Sequence, residues 1–204
     1  MGRGEILRVS GGRWKKSRLY AGPTGKVRAT TQLVRSSVFN ILQGQIIGAR
    51  FLDLFAGTGA VGIEALSRGA KSVVFVDSNP LNTALIHRNL EKFRASARVI
   101  TRPANLALTL LDAEGEPFEV IFLDPPYDET YHCAATLEFL AVSRLIAPGS
   151  VVVVQAPKSL WLRDHYGPLR LRKTYRYGTT HLWAYDYRED GAGPETATAP
   201  GTGE

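Results

Sequence analysis

Four consecutive residues, Asp124-Pro125-Pro126-Tyr127, set a carboxylate, a stiff backbone and an aromatic face directly after the apolar run FEVIFL. That combination suits chemistry on the exocyclic amine of a nucleic-acid base. Such a nitrogen is a poor nucleophile because its lone pair is delocalised into the ring, so it needs acceptors that hold its N–H groups and aim it at an electrophile. Asp124 Oδ and the Pro125 carbonyl are candidate acceptors, and the paired prolines restrict the backbone so that both are fixed before a substrate arrives. Tyr127 offers a face on which an extruded base can stack. Taken alone, the tetrapeptide also fits a rigid turn after a buried strand.

A second constellation supplies the context. Phe55-Ala56-Gly57-Thr58-Gly59-Ala60-Val61-Gly62 follows an apolar strand and opens a helix, and its glycines let the backbone turn tightly and approach a ligand. No Gly-Lys-Ser/Thr follows, so the loop is not of the Walker A type. Asp77 ends the next strand about twenty residues after Gly57, where a carboxylate can accept from both hydroxyls of an adenosine ribose, in NAD or in S-adenosylmethionine. Residues 55–59, Asp77 and its neighbour Ser78 are therefore expected to line a nucleotide-type cofactor. Asp53 lies inside the first strand, where a charge is costly without a partner. Its partner is either the cationic amino acid end of S-adenosylmethionine or backbone amides of the loop, and both roles can coexist.

The elements that must position these residues are strands alternating with helices. FLDLF, SVVFVD, ARVIT, FEVIFLD and SVVVVQAP read as strands, and GAVGIEALSRG, PLNTALIHRNLEKF and TYHCAATLEFLAV as helices. This pattern predicts an α/β, Rossmann-like fold with a mostly parallel sheet of about seven strands. LRLRKTYRYG and THLWAYDYR alternate around Gly178-Thr179, which predicts an antiparallel hairpin at the end of the sheet. Ahead of the sheet, residues 1–30 form a basic β-hairpin around Gly11-Gly12 plus a linker. A helix through LVRSSVFNILQ follows, capped by Thr30 or Thr31, with Leu33, Val34, Val38, Ile41 and Leu42 as its apolar stripe. The catalytic domain is expected over 31–188, and 189–204, without any large apolar residue, as a disordered tail.

Length and charge narrow the function. With 204 residues, 44% hydrophobic and 22% charged, the chain suits one sizeable soluble domain. A net charge of +6 and a pI near 9.6 favour a polyanionic partner. Arg13, Lys15, Lys16 and Arg18, with Lys26, Arg28 and Arg35 further on, are the candidate nucleic-acid contacts. The single cysteine, Cys133, excludes an internal disulfide, and His87, His132, His165 and His181 lack metal-ligand spacing. They read as surface or structural residues, and no metal is expected. The start, MGRGEILRVSGG, has no apolar targeting segment, and no run approaches the roughly 18 apolar residues of a membrane span. A cytoplasmic, membrane-free monomer is the expectation.

RVSGGRWKKSRL, LVRSSVFNIL, DLFAGTGAVGIEALSRGA, the strand ending at Asp77 and LDPPY together resemble the class I S-adenosylmethionine methyltransferases. More narrowly, they resemble the RsmD-type family, bacterial small-subunit (16S) ribosomal RNA guanine-N2 methyltransferases. The resemblance runs to about Arg188. It implies S-adenosylmethionine as cofactor, with Gly57, Gly59 and Asp77 in contact with it and Asp53 beneath its amino acid end. It further implies a target guanine held by residues 124–127 and ribosomal RNA gripped by the amino-terminal hairpin. The chain departs from the family pattern with Arg28-Ala29-Thr30 in place of Arg-Pro-Thr and Arg35-Ser36 in place of Arg-Glu. After the third strand it has Pro103-Ala104-Asn105, where many relatives carry Asp or Asn before Ala, so Ala104 and Asn105 are the expected neighbours of adenine. A nicotinamide oxidoreductase would explain the glycine loop but not Asp-Pro-Pro-Tyr. A DNA amine methyltransferase would share the chemistry but shows no long target-recognition domain, and a non-catalytic RNA-binding protein would not need Asp124.

Overall fold

The structure, a computed structural model, describes residues 7–21, 32–126 and 130–188. Tyr127, Lys26, Arg28, the capping threonines and the carboxyl-terminal tail therefore lie outside the described residues. Five strands, β1 (Arg50–Leu54), β2 (Ser72–Asp77), β3 (Arg98–Thr101), β4 (Val120–Leu123) and β5 (Val151–Pro157), pair in parallel in the order β3-β2-β1-β4-β5. Three more, β6 (His165–Tyr166), β7 (Leu169–Tyr177) and β8 (Thr180–Tyr187), extend the sheet antiparallel as β5-β8-β7-β6. The expected hairpin is thus present. The additional strand, β6, has only two residues, too few to leave a periodic signature.

Both faces of the sheet are covered, which is why its central strands read as continuous apolar runs. Alternate residues serve opposite faces. Phe51, Phe75, Phe122 and Val153 pack with α1 (Gln32–Ile41), α2 (Ala60–Ser67) and α3 (Pro80–Lys92). Leu52, Val76, Ile121 and Val152 pack with α4 (Ala104–Glu114) and α5 (Tyr131–Val142). Helix α4 has no counterpart in the sequence-based expectation. Its buried residues, Ala104, Ala107, Leu108 and Leu111, do follow helical spacing, but half of that stripe is alanine and exposed Leu106 blurs it.

Helix α1 forms with a different face inward than expected. Val34, Val38 and Leu42 are buried as predicted, whereas Leu33 is 66% exposed and Arg35 is fully buried. Residues 7–19 form the small antiparallel hairpin, with Arg8 opposite Arg18 and bonds from Val9 N to Ser17 O at 3.0 Å and Lys16 N to Val9 O at 2.9 Å. Leu7, Val9 and Leu19 bury its inner side. Its turn is pinned to α2: Arg13 N donates to Ser67 O at 2.8 Å and Trp14 N to Ser67 Oγ at 2.9 Å. Among the described residues no helix is long and apolar enough to cross a membrane.

Candidate cofactor and substrate site

The strand order reverses direction between β1 and β4, and open α/β sheets bind ligands outside the carboxyl ends of the strands at such a point. Leu54 of β1 pairs with Val76 on one side and Leu123 on the other. The residues that follow, Asp77 and Asp124, therefore flank the start of the Phe55 loop.

The loop is held in a tight, specific shape. Ala56 N donates to Val76 O at 2.9 Å and Gly59 N to Ala56 O at 2.8 Å. Gly59 caps α2 with φ of 74°, and a Cβ on Gly62 would come within 2.3 Å of the Phe75 ring, so helix and sheet approach closely only because both are glycine. Phe55 also adopts a left-handed backbone, φ 61°. For a residue with a side chain this is unfavourable by about 1–2 kcal/mol, and it turns the chain out of β1 at the mouth of the crevice.

Asp77 organises this mouth. Its Oδ2 accepts from Gly57 N at 2.8 Å, and its Oδ1 accepts from Asn79 N at 2.8 Å and Asn82 Nδ2 at 3.1 Å. The two oxygens offer about four acceptor sites and these bonds use three, so they orient the group and leave a place on Oδ2 for one ribose hydroxyl. A cleft of about 220 Å3 opens beside it, walled by Phe55, Asp77 and Ser78 on one side and Pro103, Ala104 and Asn105 on the other. Pro103, at the start of α4, provides no side-chain cap, so the first N–H groups of that helix are donors without intrahelical acceptors. They suit a ring nitrogen of adenine.

Asp53 takes the backbone role. It is 1% exposed, does not line the cleft, and accepts from Gly62 N at 2.8 Å. In this way strand β1 caps helix α2, whose own cap residue, Gly59, has no side chain to offer. Burial pushes the Asp53 carboxyl well above the usual carboxylate range; the bond from Gly62 opposes the shift, and the nearby charges of Asp124 and Asp77 add to it. A positive charge arriving at this edge would relieve the crowding of carboxylates.

Asp124 is half-buried and its N–H donates to Leu54 O at 3.4 Å, while Pro125 is buried and Pro126 exposed. Arg102, Tyr131 and His132 complete the cleft and were not foreseen. The His132 ring lies 5.8 Å from Phe55 and 4.2 Å from Tyr131, so this half-buried histidine also lines the cleft. The one available signal was position, since both residues open the helix that follows the Asp-Pro-Pro-Tyr loop.

Of the basic residues, Arg13, Lys15, Lys16 and Arg18 stand exposed on the hairpin. Arg13 lies over the Trp14 ring at 4.3 Å, and Trp14 stacks on Phe93 at 4.6 Å. Arg35 is a correction: with 0% side-chain exposure and an ion pair to Glu64 at 2.8 Å, it braces the interior and does not face solvent. The carboxylate of Glu64 on α2 gives α1 a reason to turn this side inward.

A family model described as conserved hypothetical protein 95 matches residues 7–186, from the hairpin to the last strand. The chain belongs to this RsmD-type methyltransferase family. Among its relatives, a putative rRNA methyltransferase, YlbH, from Bacillus subtilis is 33% identical over 89% of this chain and 100% of its own length. Ribosomal RNA small subunit methyltransferase D of Escherichia coli is 36% identical over 62% of each chain. The solved structure of putative methyltransferase yhhF from Escherichia coli superposes with a TM-score of 0.79 at 27% identity, over 90% of this chain and 98% of that one. The class I methyltransferase fold of this family member thus spans hairpin, cleft and terminal strands together.

Proposed function

We propose that this chain methylates the exocyclic N2 of a guanine in small-subunit ribosomal RNA, with S-adenosylmethionine as the donor. The observation that carries the reading is the register that sets Asp77 and Asp124 on either side of the Phe55 loop. A cofactor-orienting carboxylate and an amine-holding carboxylate then share one crevice. Asp77 takes the ribose, the α4 amino terminus and Phe55 take the adenine, and the acidic edge with Asp53 favours the cationic end. That cofactor supplies an electrophilic methyl group, taken by the amine in one direct displacement with neither a metal nor a covalent enzyme intermediate.

Asp124 and the Pro125 carbonyl accept hydrogen bonds from the two N–H groups of the amine and fix its lone pair toward the donor, and the proton that the methylated nitrogen sheds passes to the adjacent Asp124 carboxylate and on to water. Tyr127 stacks on the extruded ring. The exposed cations of the amino-terminal hairpin hold the RNA backbone. Cys133 is buried in α5, which favours amine methylation over a route needing a thiol attack on a pyrimidine ring.

The decisive test measures methyl transfer to ribosomal RNA and maps the product by mass spectrometry of nucleoside digests. Asp124→Ala should abolish transfer while S-adenosylhomocysteine still binds by calorimetry. Unchanged turnover would remove Asp124 from the chemistry, and binding of NADH without S-adenosylhomocysteine would sink the methyltransferase reading.

A further inference from the structure

The carboxyl edge of the sheet carries a second cavity, on the side of β5 and the β7–β8 hairpin. Its volume is about 530 Å3, within the ~300–1,000 Å3 range of small-molecule pockets. Leu33 and Val34, in the first turn of α1, form one wall, and the hairpin tip from Arg176 to Thr180 forms another. Gln155, near the end of β5, completes it. Neither the cofactor nor the residues assigned so far account for this space.

Gln155 is 2% exposed, and its Oε1 has no hydrogen-bond partner among the described residues. Burying an amide oxygen without a partner is unfavourable. An amide in that state on a cavity wall therefore needs a reason, and a donor on an incoming ligand provides one. The register indicates which ligand. Leu123 pairs with Val154, so Asp124, the first residue past the end of β4, and Gln155 of β5 follow at the same level of the sheet. Phe122 and Val153 both face the α1–α2 layer; two residues on, Gln155 keeps to that side by strand alternation, and Asp124 opens the loop that leaves β4 beside it. Neighbouring strands run ~4.8 Å apart, comparable to the width of a purine's hydrogen-bonding edge.

We infer that Gln155 reads the ring edge of the target guanine, accepting from N1–H through Oε1 and donating to O6 through Nε2, while Asp124 holds the N2 amine. This rests on the guanine-N2 reading above. Gln155 is then a specificity-determining residue, and Arg176, exposed on the rim, is placed to meet the nucleotide's phosphate. The base 2-aminopurine keeps the amine but lacks both N1–H and O6, so it isolates the contribution of Gln155.

The experiment compares kcat/KM on small subunits reconstituted with RNA carrying guanine or 2-aminopurine at the methylated position. The unmodified enzyme should prefer guanine by roughly tenfold or more, and Gln155→Met should shrink that preference to within about twofold. Melting temperature of that variant should not fall, since an unpaired buried amide oxygen is removed, and S-adenosylhomocysteine affinity should stay unchanged. Gln155→Glu, which keeps an acceptor for N1–H but sets a second acceptor against O6, should lower kcat/KM on guanine and also shrink the preference. Leu33→Trp fills the cavity from an exposed position and should lower kcat/KM without touching cofactor affinity, which decides the matter should Gln155→Met fail to fold. An undiminished preference in Gln155→Met, or full activity in Leu33→Trp, overturns the assignment and leaves guanine methylation standing. If the unmodified enzyme methylates no guanine, both fall.

Discussion

Arg35 Nε lies 2.8 Å from Glu64 Oε2, and neither side chain is exposed to solvent. Glu64 also accepts from Ser10 N at 3.1 Å and from the Arg68 guanidinium at 2.8 Å, while Arg35 Nη2 donates to Arg8 O. One buried carboxylate thereby ties the amino-terminal hairpin, α1 and α2 into a single unit behind the glycine loop. Removing one partner of a buried pair strands the other charge, at a cost of about 3–5 kcal/mol. Arg35→Ala should therefore lose stability on that scale in urea titrations. A loss below about 1 kcal/mol, the range of surface pairs, would show that Arg68 alone satisfies Glu64.

The raised pKa of Asp53 has a sign that can be measured. A carboxyl whose folded pKa lies above its unfolded value of about 3.9 holds its proton in the folded protein where the unfolded chain has already lost it. Stability from this group is then lost as pH rises from the unfolded pKa through the folded one. Asp53→Asn keeps an acceptor for Gly62 N–H and removes the titration. The cofactor-free variant should melt at or above the parent temperature at pH 7, with the gap closing toward pH 4. If Asp53 faces the cationic end of S-adenosylmethionine as proposed, affinity for that cofactor should fall, because a carboxyl able to ionise as the cation arrives is gone. A variant that melts lower at pH 7 and binds the cofactor normally would refute both parts.

Lys15 and Lys16 stand exposed on a hairpin whose backbone is fixed by Ser67. Replacing both by alanine should leave melting within about 0.5 kcal/mol of the parent, as for other surface changes. RNA affinity should weaken, and the salt dependence of binding should flatten by about one to two phosphate contacts. An unaltered salt slope would take this turn out of the RNA interface.

Cys133 is fully buried in α5, and burial pushes its thiol up to about 12. Only the thiolate reacts quickly, so the native protein should resist iodoacetamide at pH 8 and react once unfolded in guanidinium. Fast labelling of the native state, with methyl transfer lost in step, would point to a thiol role that the fold does not suggest.

Much of the fold was legible because parallel strands buried on both faces leave continuous apolar runs, and βα turns leave glycines. FLDLF, SVVFVD and SVVVVQAP were visible for that reason, whereas two-residue β6 and alanine-rich α4 were too short or too weakly patterned. The loop residues at 55–59, Asp77 and Asp124 were legible because their chemistry is local: a glycine turn, a carboxylate at a strand end, a stiff dipeptide. Arg35 was misread and Gln155 unread for one reason. An arginine looks solvated and a glutamine in a strand looks incidental until the partner or the cavity across the chain is known.

The sequence by itself determined the succession of the main strands and helices, the glycine loop and the Asp-Pro-Pro-Tyr tetrapeptide, since each is written in consecutive residues. Tertiary structure decided which charges face water and which carboxylates meet. Asp77 and Asp124 become neighbours of one loop only through the pairing of β1 with both β2 and β4. Arg35 turns inward only because Glu64, on a helix remote in sequence, stands opposite. Burial and pairing are properties of contacts between distant segments, and no run of neighbouring letters encodes them.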